Sequence, residues 1–330
     1  MRQHSRWVLS LGVAVVLVAV FVPAGQAGEN IFFASTSSSS GHYVYAAAVT
    51  EAINSQVKSL NVTLMETGGS KDSLELIRTG KAHIGLVSLL AAAELRDGRG
   101  FYKKDQALET VRALYVYAPV PNVVVVRTDS GVQKLEDLDG KAFNPGGRGT
   151  TTELVNFEFF KAIKVNPKFY RAGMSDAADA LKDGRIVGFV KTVAAVDKPD
   201  SLIQTIMATT KLRLVGFEER HRKFLEPDLA VFFTIPAKTY PEQDKDVLMY
   251  GNTFGLATRA DKISRQDGFQ IAKVLFEDTK RVKTAYPALP DNLVELTLKY
   301  SSIPLHAGVV DYLKQKGVNV PANLIPPEAK

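Results

Sequence analysis

The chain contains no cysteine among its 330 residues. Disulfides, thiolate metal sites, cysteine nucleophiles and lipid attachment through an N-terminal cysteine are thereby excluded. Hydrolase signatures are missing too, with no Gly-x-Ser-x-Gly elbow and no His-Glu-x-x-His metal helix. The five histidines are scattered. His83 stands at the start of an apolar run and His306 before a helical one, both structural positions. His221, inside Glu219-Arg220-His221-Arg222-Lys223, reads as part of a solvated face. Blocks of one charge are also absent. The formal charge of +6 falls to +4 without Arg2 and Arg6, and Lys103-Lys104 and Arg220–Lys223 are short. A nucleic-acid footprint is not expected, and a mild positive balance is compatible with small anions.

Past residue 27 there is no apolar run of the roughly 18 residues a spanning helix needs. The first 27 residues have a different character. Arg2 and Arg6 precede an apolar stretch from Val8 to Val22, and Gly25 and Ala27 supply small residues at −3 and −1. This reads as a secretory signal cut after Ala27, which predicts export to the periplasm. The remainder has the length of one large or two medium domains.

What is present is an alternation of strand and helix patterns. Ile31–Ala34 reads as a strand, and a hydroxyl-rich turn follows, Ser35-Thr36-Ser37-Ser38-Ser39-Ser40-Gly41. An alanine-rich helical pattern then runs from Tyr43 to about Val57. The turn reads either as a flexible linker, as a simple N-cap, or as an anion seat built from hydroxyls and helix N-terminal N–H groups. Strands are predicted at Val62–Met65, Ile84–Val87, Ala113–Tyr117, Val123–Val126, Lys141–Phe143, Val187–Val190 and Leu212–Val215, with an extended run from Ala230 to Ile235. Helices are predicted from Ser70, as N-cap, to about Gly80; over Ser88–Leu95; to Ile163; and over Ser175–Lys182, Ser201–Ala208, Ser264–Tyr286, Asn292–Tyr300 and Gly308–Lys316. The four valines Val123–Val126 indicate burial on both faces.

Two segments echo one another. Leu76-Ile77-Arg78-Thr79-Gly80-Lys81 leads into Gly85-Leu86-Val87-Ser88, and Leu181-Lys182-Asp183-Gly184-Arg185 leads into Gly188-Phe189-Val190-Lys191. The echo reads either as two lobes of one α/β build or as the generic look of any α/β unit. On the first reading Ser88 and Lys191, at the carboxyl ends of equivalent strands, aim at one cleft from opposite sides. Between them lies Gly146-Gly147-Arg148-Gly149-Thr150, which lacks the Gly-Lys-[Ser/Thr] ending of a nucleotide loop. It still opens a helix as an anion nest does, and Arg148 either grips a carboxylate by two bonds or is a surface arginine of a flexible loop.

These pieces, in order, resemble the periplasmic solute-binding subunits of TAXI-type TRAP transporters. The resemblance is carried by Gly41-His42-Tyr43 after the hydroxyl turn, Thr67-Gly68-Gly69-Ser70, Gly80–Val87, Val123–Arg127 with Asp129-Ser130-Gly131, Leu135–Lys141, Pro145–Thr150, Ala177–Arg185, Ile235–Pro241 and Pro304–Gly308. It implies a type II periplasmic binding protein: two α/β lobes joined by crossing hinge strands that close on a small ligand, often a carboxylate or amino acid. The crossings are expected near Val123–Arg127 and Ala230–Pro236. Lobe 1 then comprises residues 28–127 plus 238–330, and lobe 2 residues 128–237.

The chain departs from that family's pattern at His83 and Val187, where an acidic residue is usual. It departs again at Ser88-Leu89-Leu90, in place of Gln-x-Asp, and at Arg148, in place of Ser. The departures favour an anion with an apolar part set against Leu89 and Leu90. The expected ligand-binding set is Ser39, Ser40, Gly41, His42, Tyr43, Ser88, Tyr117, Arg148, Gly149, Thr150, Thr151 and Lys191. No catalytic residue, metal or cofactor is expected. The expected partners are a small organic anion and the membrane permease subunits of a TRAP transporter, with the receptor itself a monomer. A sensory receptor feeding a kinase and a periplasmic hydrolase are the rival readings.

Overall fold

A computed structural model describes residues 28–38, 40–225 and 231–330. The expected secretory signal, Ser39 and the start of the Ala230–Ile235 run lie outside the described residues. The chain opens with strand β1 (Glu29–Ala34), helix α1 (Gly41–Gln56), β2 (Leu60–Met65), α2 (Ser70–Arg78), β3 (Ile84–Ser88) and α3 (Leu89–Asp97). The long strand β4 (Val111–Arg127) follows. Next come β5 (Ala142–Asn144), α4 (Thr151–Ala162), β6 (Lys168–Phe169), α5 (Met174–Lys182), β7 (Gly188–Thr192), α6 (Ser201–Met207), β8 (Leu212–Leu214) and β9 (Val231–Ile235). A second long strand, β10 (Val247–Arg259), precedes α7 (Arg265–Glu277), α8 (Thr279–Ala285), α9 (Leu293–Tyr300) and α10 (Ala307–Gln315).

The strands form one curled sheet in the order β2-β1-β3-β10-β4-β7-β5-β6, with β8 and β9 paired to β4 and β10. Its two halves repeat one plan. β3 is parallel to β1 and antiparallel to β10. β7 is likewise parallel to β5 and antiparallel to β4. The sequence echo therefore marks equivalent strands, with Ser88 at the end of β3 and Lys191 near the end of β7.

β4 and β10 run through both halves. β4 pairs with β10 up to Pro121 and with β7 from Asn122 onward. β10 pairs with β9 over Val247–Gly251 and with β3 over Phe254–Thr258. Two apolar cores follow this division. One holds Val120 and Leu256, the other Val123, Tyr240, Met249 and Tyr250. The chain thus passes between cores near Pro121–Asn122 and Gly251–Thr253. The boundaries read from sequence, at 127 and 237, leave Val123–Val126 and Tyr240–Tyr250 on the wrong side of that division.

Several local expectations are also corrected. Ala113–Tyr117 and Val123–Val126 are one strand, not two. Pro121 faces the β7 edge, where its carbonyl accepts from Val193 N–H at 2.9 Å, and Pro119 lies on the same edge beyond the end of β7. Neither missing N–H is therefore needed by a ladder. Ser70 is the first residue of α2 rather than its cap; Gly69 caps, at φ 138°, and Ser70 Oγ accepts from Ser88 N–H at 2.8 Å. The run from Ser264 breaks into α7 and α8 at Asp278. His221 is buried rather than solvated, accepting from Glu218 N–H at 3.0 Å and meeting Glu136 at 3.2 Å.

Candidate functional site

The loop after β1 enters α1 with Ser40 as N-cap, its Oγ accepting from His42 N–H at 3.2 Å. The cap fixes His42 in the first turn, where its ring reaches the crossing strands. Tyr117 of β4 shares a hydrogen bond with His42 Nδ1 at 2.7 Å. The His42 ring stacks on Phe254 of β10 with centroids 5.1 Å apart, and Tyr286 lies 6.0 Å away. Behind it Tyr45 stacks on Tyr117 at 3.8 Å, and the Tyr45 and Tyr115 hydroxyls are bonded to each other. Burial is the larger cause, and the nearby Lys191 ammonium the smaller, that pushes His42 down to about 4. The imidazole is neutral at pH 7. Burial keeps the Tyr117 phenol protonated, and the imidazole tautomer sets which of Tyr117 and His42 Nδ1 donates in the bond they share.

Lys191 belongs to the other half of the sheet. Its ammonium pairs with Asp200 at 2.9 Å and donates to Thr192 O at 3.2 Å. Asp200 is itself fixed as the N-cap of α6, accepting from Leu202 and Ile203 N–H. Next to Lys191 a buried knot joins β4, β7 and α4: Thr192 donates to Asn122 Oδ1 at 2.6 Å and meets Thr152 at 2.9 Å.

The two loops expected to seat an anion each bond a carboxylate of the chain itself. In the hydroxyl turn Ser38 N–H and Oγ donate to Glu66 Oε1 at 2.7 and 2.9 Å, bonds that hold the Glu66 carboxyl below its usual range. In the glycine loop Gly149 N–H donates to Glu153 Oε2 at 2.8 Å, and Arg171 closes on the same carboxylate at 2.8 Å. Thr150 caps α4, and the Arg148 N–H is spent on Ala172 O at 3.0 Å.

Of the expected set, then, His42 and Tyr117 are joined by a hydrogen bond, while Lys191 is held by Asp200 and Thr192 on the other half of the sheet. Tyr117 is fully buried, its hydroxyl bonded to His42. Ser40, Thr150 and Thr151 build helix starts, and Gly41 is exposed. Tyr43 is half-buried beside His42 in α1. Ser88 is fully buried, and its Oγ has no partner among the described residues. Arg148 is exposed, and its guanidinium forms no ion pair or hydrogen bond among the described residues. Leu89 and Leu90 are core residues, and the apolar wall beside His42 is Phe254 instead. Sequence reading missed Phe254, Tyr286, Glu66 and Asp200. Glu153 had a signal, since Thr150-x-x-Glu153 is a capping-box spacing. Among the described residues no cluster of three metal-ligating side chains forms, and no helix is long and apolar enough to cross a membrane.

This architecture, two α/β halves joined by two long strands, has the fold of the two-lobed periplasmic binding proteins. A structure from a study of glutathione import through GshT and the cystine ABC importer TcyBC of Streptococcus mutans is 13% identical, with TM-score 0.50 over 80% of this chain and 98% of that one. A TctC solute-binding protein from Polaromonas is 18% identical, with TM-score 0.49 over 82% of this chain and 90% of that one. At such identities the likeness is one of fold. Residues 33–317 match the model of the NMT1-like family, and the chain belongs to that family.

Proposed function

We propose that the protein is an exported receptor that captures a small organic anion between its lobes and delivers it to a TRAP-type permease, as the TAXI-like motifs imply. The observation that carries this reading is the plan of the sheet: two α/β halves, each with its own apolar core, joined by the long strands β4 and β10. On this reading Lys191, near the end of β7, and His42, at the start of α1, supply a cation and an imidazole to the space between the halves. Lobe 1 would comprise residues 28–121 and 252–330, and lobe 2 residues 122–251. Closure would bend β4 and β10 where they change partners. Lys191 supplies charge at the floor, and the unpaired Arg148 supplies it at the rim.

A hydrolase reading is less well supported. His42 Nδ1 is committed to Tyr117, and the buried Ser88 hydroxyl has no base beside it. The test is thermal unfolding of the mature protein, refolded free of carried-over ligand, against a panel of organic acids, amino acids and sugars. A ligand at 100 times its dissociation constant adds about 2.7 kcal/mol. A shift with acids supports the reading, and a response only to sugars or cations defeats it. Arg148→Ala should weaken the binding of a responding acid by about 1.5–3 kcal/mol; unchanged affinity removes Arg148 from the site.

A further inference from the structure

At the far end of the sheet β2 is the outermost strand, six residues long, and among the described residues β1 is its one strand partner. Glu29 N–H donates to Ser59 O and Ser35 N–H to Met65 O, so the odd-numbered residues here face β1. Leu60, Val62 and Leu64 therefore turn their N–H and C=O groups outward. The segment Leu60-Asn61-Val62-Thr63-Leu64-Met65 holds no charge, no proline and no glycine, the composition of a strand that pairs readily with another chain. Yet its outward groups are not left open. Asn54, in the last turn of α1, donates from Nδ2 to Val62 O at 2.9 Å and accepts at Oδ1 from Val62 N–H at 2.7 Å. One carboxamide thus takes both backbone groups that a neighbouring strand would bond. Leu60 N–H is turned back to Val57 O at 3.1 Å.

We propose that the outer edge of β2 is a latent pairing surface for a second copy of this chain, and that the Asn54 carboxamide is the plug that keeps it shut. The edge is complementary to itself. A two-fold antiparallel pairing centred on Val62 sets Lys58 of each copy against Glu66 of the other, and both side chains are exposed. A second copy therefore matches this edge in strand pattern and in charge, while Asn54 occupies the bonds at its centre. The inference holds whatever the cleft binds.

The test is sedimentation velocity on the purified protein across a wide concentration range. The parent should stay monomeric. Asn54→Leu, similar in size but unable to bond Val62, should self-associate as the concentration rises. Lys58→Glu in that background should weaken the association several-fold, because both symmetry-related charge pairs turn repulsive. Asn54→Ser, too short to reach Val62, should associate in the same way and serves if the leucine variant does not fold. Asn54 variants that are folded by their melting curves and remain monomeric at the highest concentration overturn the inference. Association that Lys58→Glu leaves unchanged overturns it too, since the contact then lies elsewhere. A parent that dimerises, and that Lys58→Glu returns to monomer, overturns the plug, because the edge is then open.

Discussion

The two halves of the sheet share a plan and differ in what they bring to the cleft. The β3 side ends in Ser88, buried and uncharged, and presents a neutral imidazole on an aromatic stack. The β7 side ends in a lysine flanked by threonine and asparagine. Their anion seats differ in the same sense. Glu66 sits in an exposed loop bonded to serine, whereas Glu153 is fully buried and tied to both the glycine loop and Arg171. A common scaffold has thus been given one face for packing and one for charge. The parts that look most like anion traps in sequence have become structural joints.

The joining strands break this comparison most strongly. A Cβ on Gly251 would lie 2.2 Å from Val120 O and 2.3 Å from the Phe233 ring, so β4 and β10 could not approach as they do. Gly251→Ala should cost about 3 kcal/mol or more, read as a lower melting temperature. Acid should then separate the faces. His42 has a folded value of about 4 against 6.5, so between those limits the unfolded chain binds more protons. Its contribution is complete above pH 6.5 and is lost as pH falls through about 4, amounting to about 3 kcal/mol. Burial lowers His83 and His306 too, so the quantity to measure is the difference between the parent and His42→Phe across that window.

Smaller effects sharpen the contrast between seats. Glu153→Ala strands the Gly149 N–H and Arg171 and should cost about 2 kcal/mol, discounted because Arg171 is half-exposed. Glu66→Ala, in its exposed turn, should shift the melt far less. Equal losses would show that the seats are equivalent after all. Tyr117→Phe removes the bond to His42 Nδ1 and should cost about 1 kcal/mol, seen in denaturant midpoints at unchanged slope.

The α/β alternation, the valine run and the twin strand ends were legible because each is a local pattern. β10 was not. Two glycines, Gly251 and Gly255, interrupt its apolar pattern, and they admit β4: a Cβ on Gly255 would lie 2.4 Å from Tyr115 O. Without β10 the second crossing was placed at β9, which stays within its own lobe. At the site, His42, Tyr117 and Lys191 were readable from their places at strand and helix ends. Phe254 and Tyr286 join His42 from more than 200 residues along the chain, and no local periodicity records that meeting. The serine and glycine loops were recognised as donors. Their acceptors were not sought inside the chain, although Glu66 follows β2 at once and Glu153 stands at capping-box spacing.

The most direct measurement follows the His42 imidazole by NMR titration in the ligand-free protein and in Lys191→Met. The account predicts a pKa of about 4 that rises in the variant, though not to 6.5, because burial is the larger cause and remains. A parent value near 6.5 would contradict the burial of the imidazole, and a low value that Lys191→Met leaves unmoved would contradict the influence of the Lys191 charge on it.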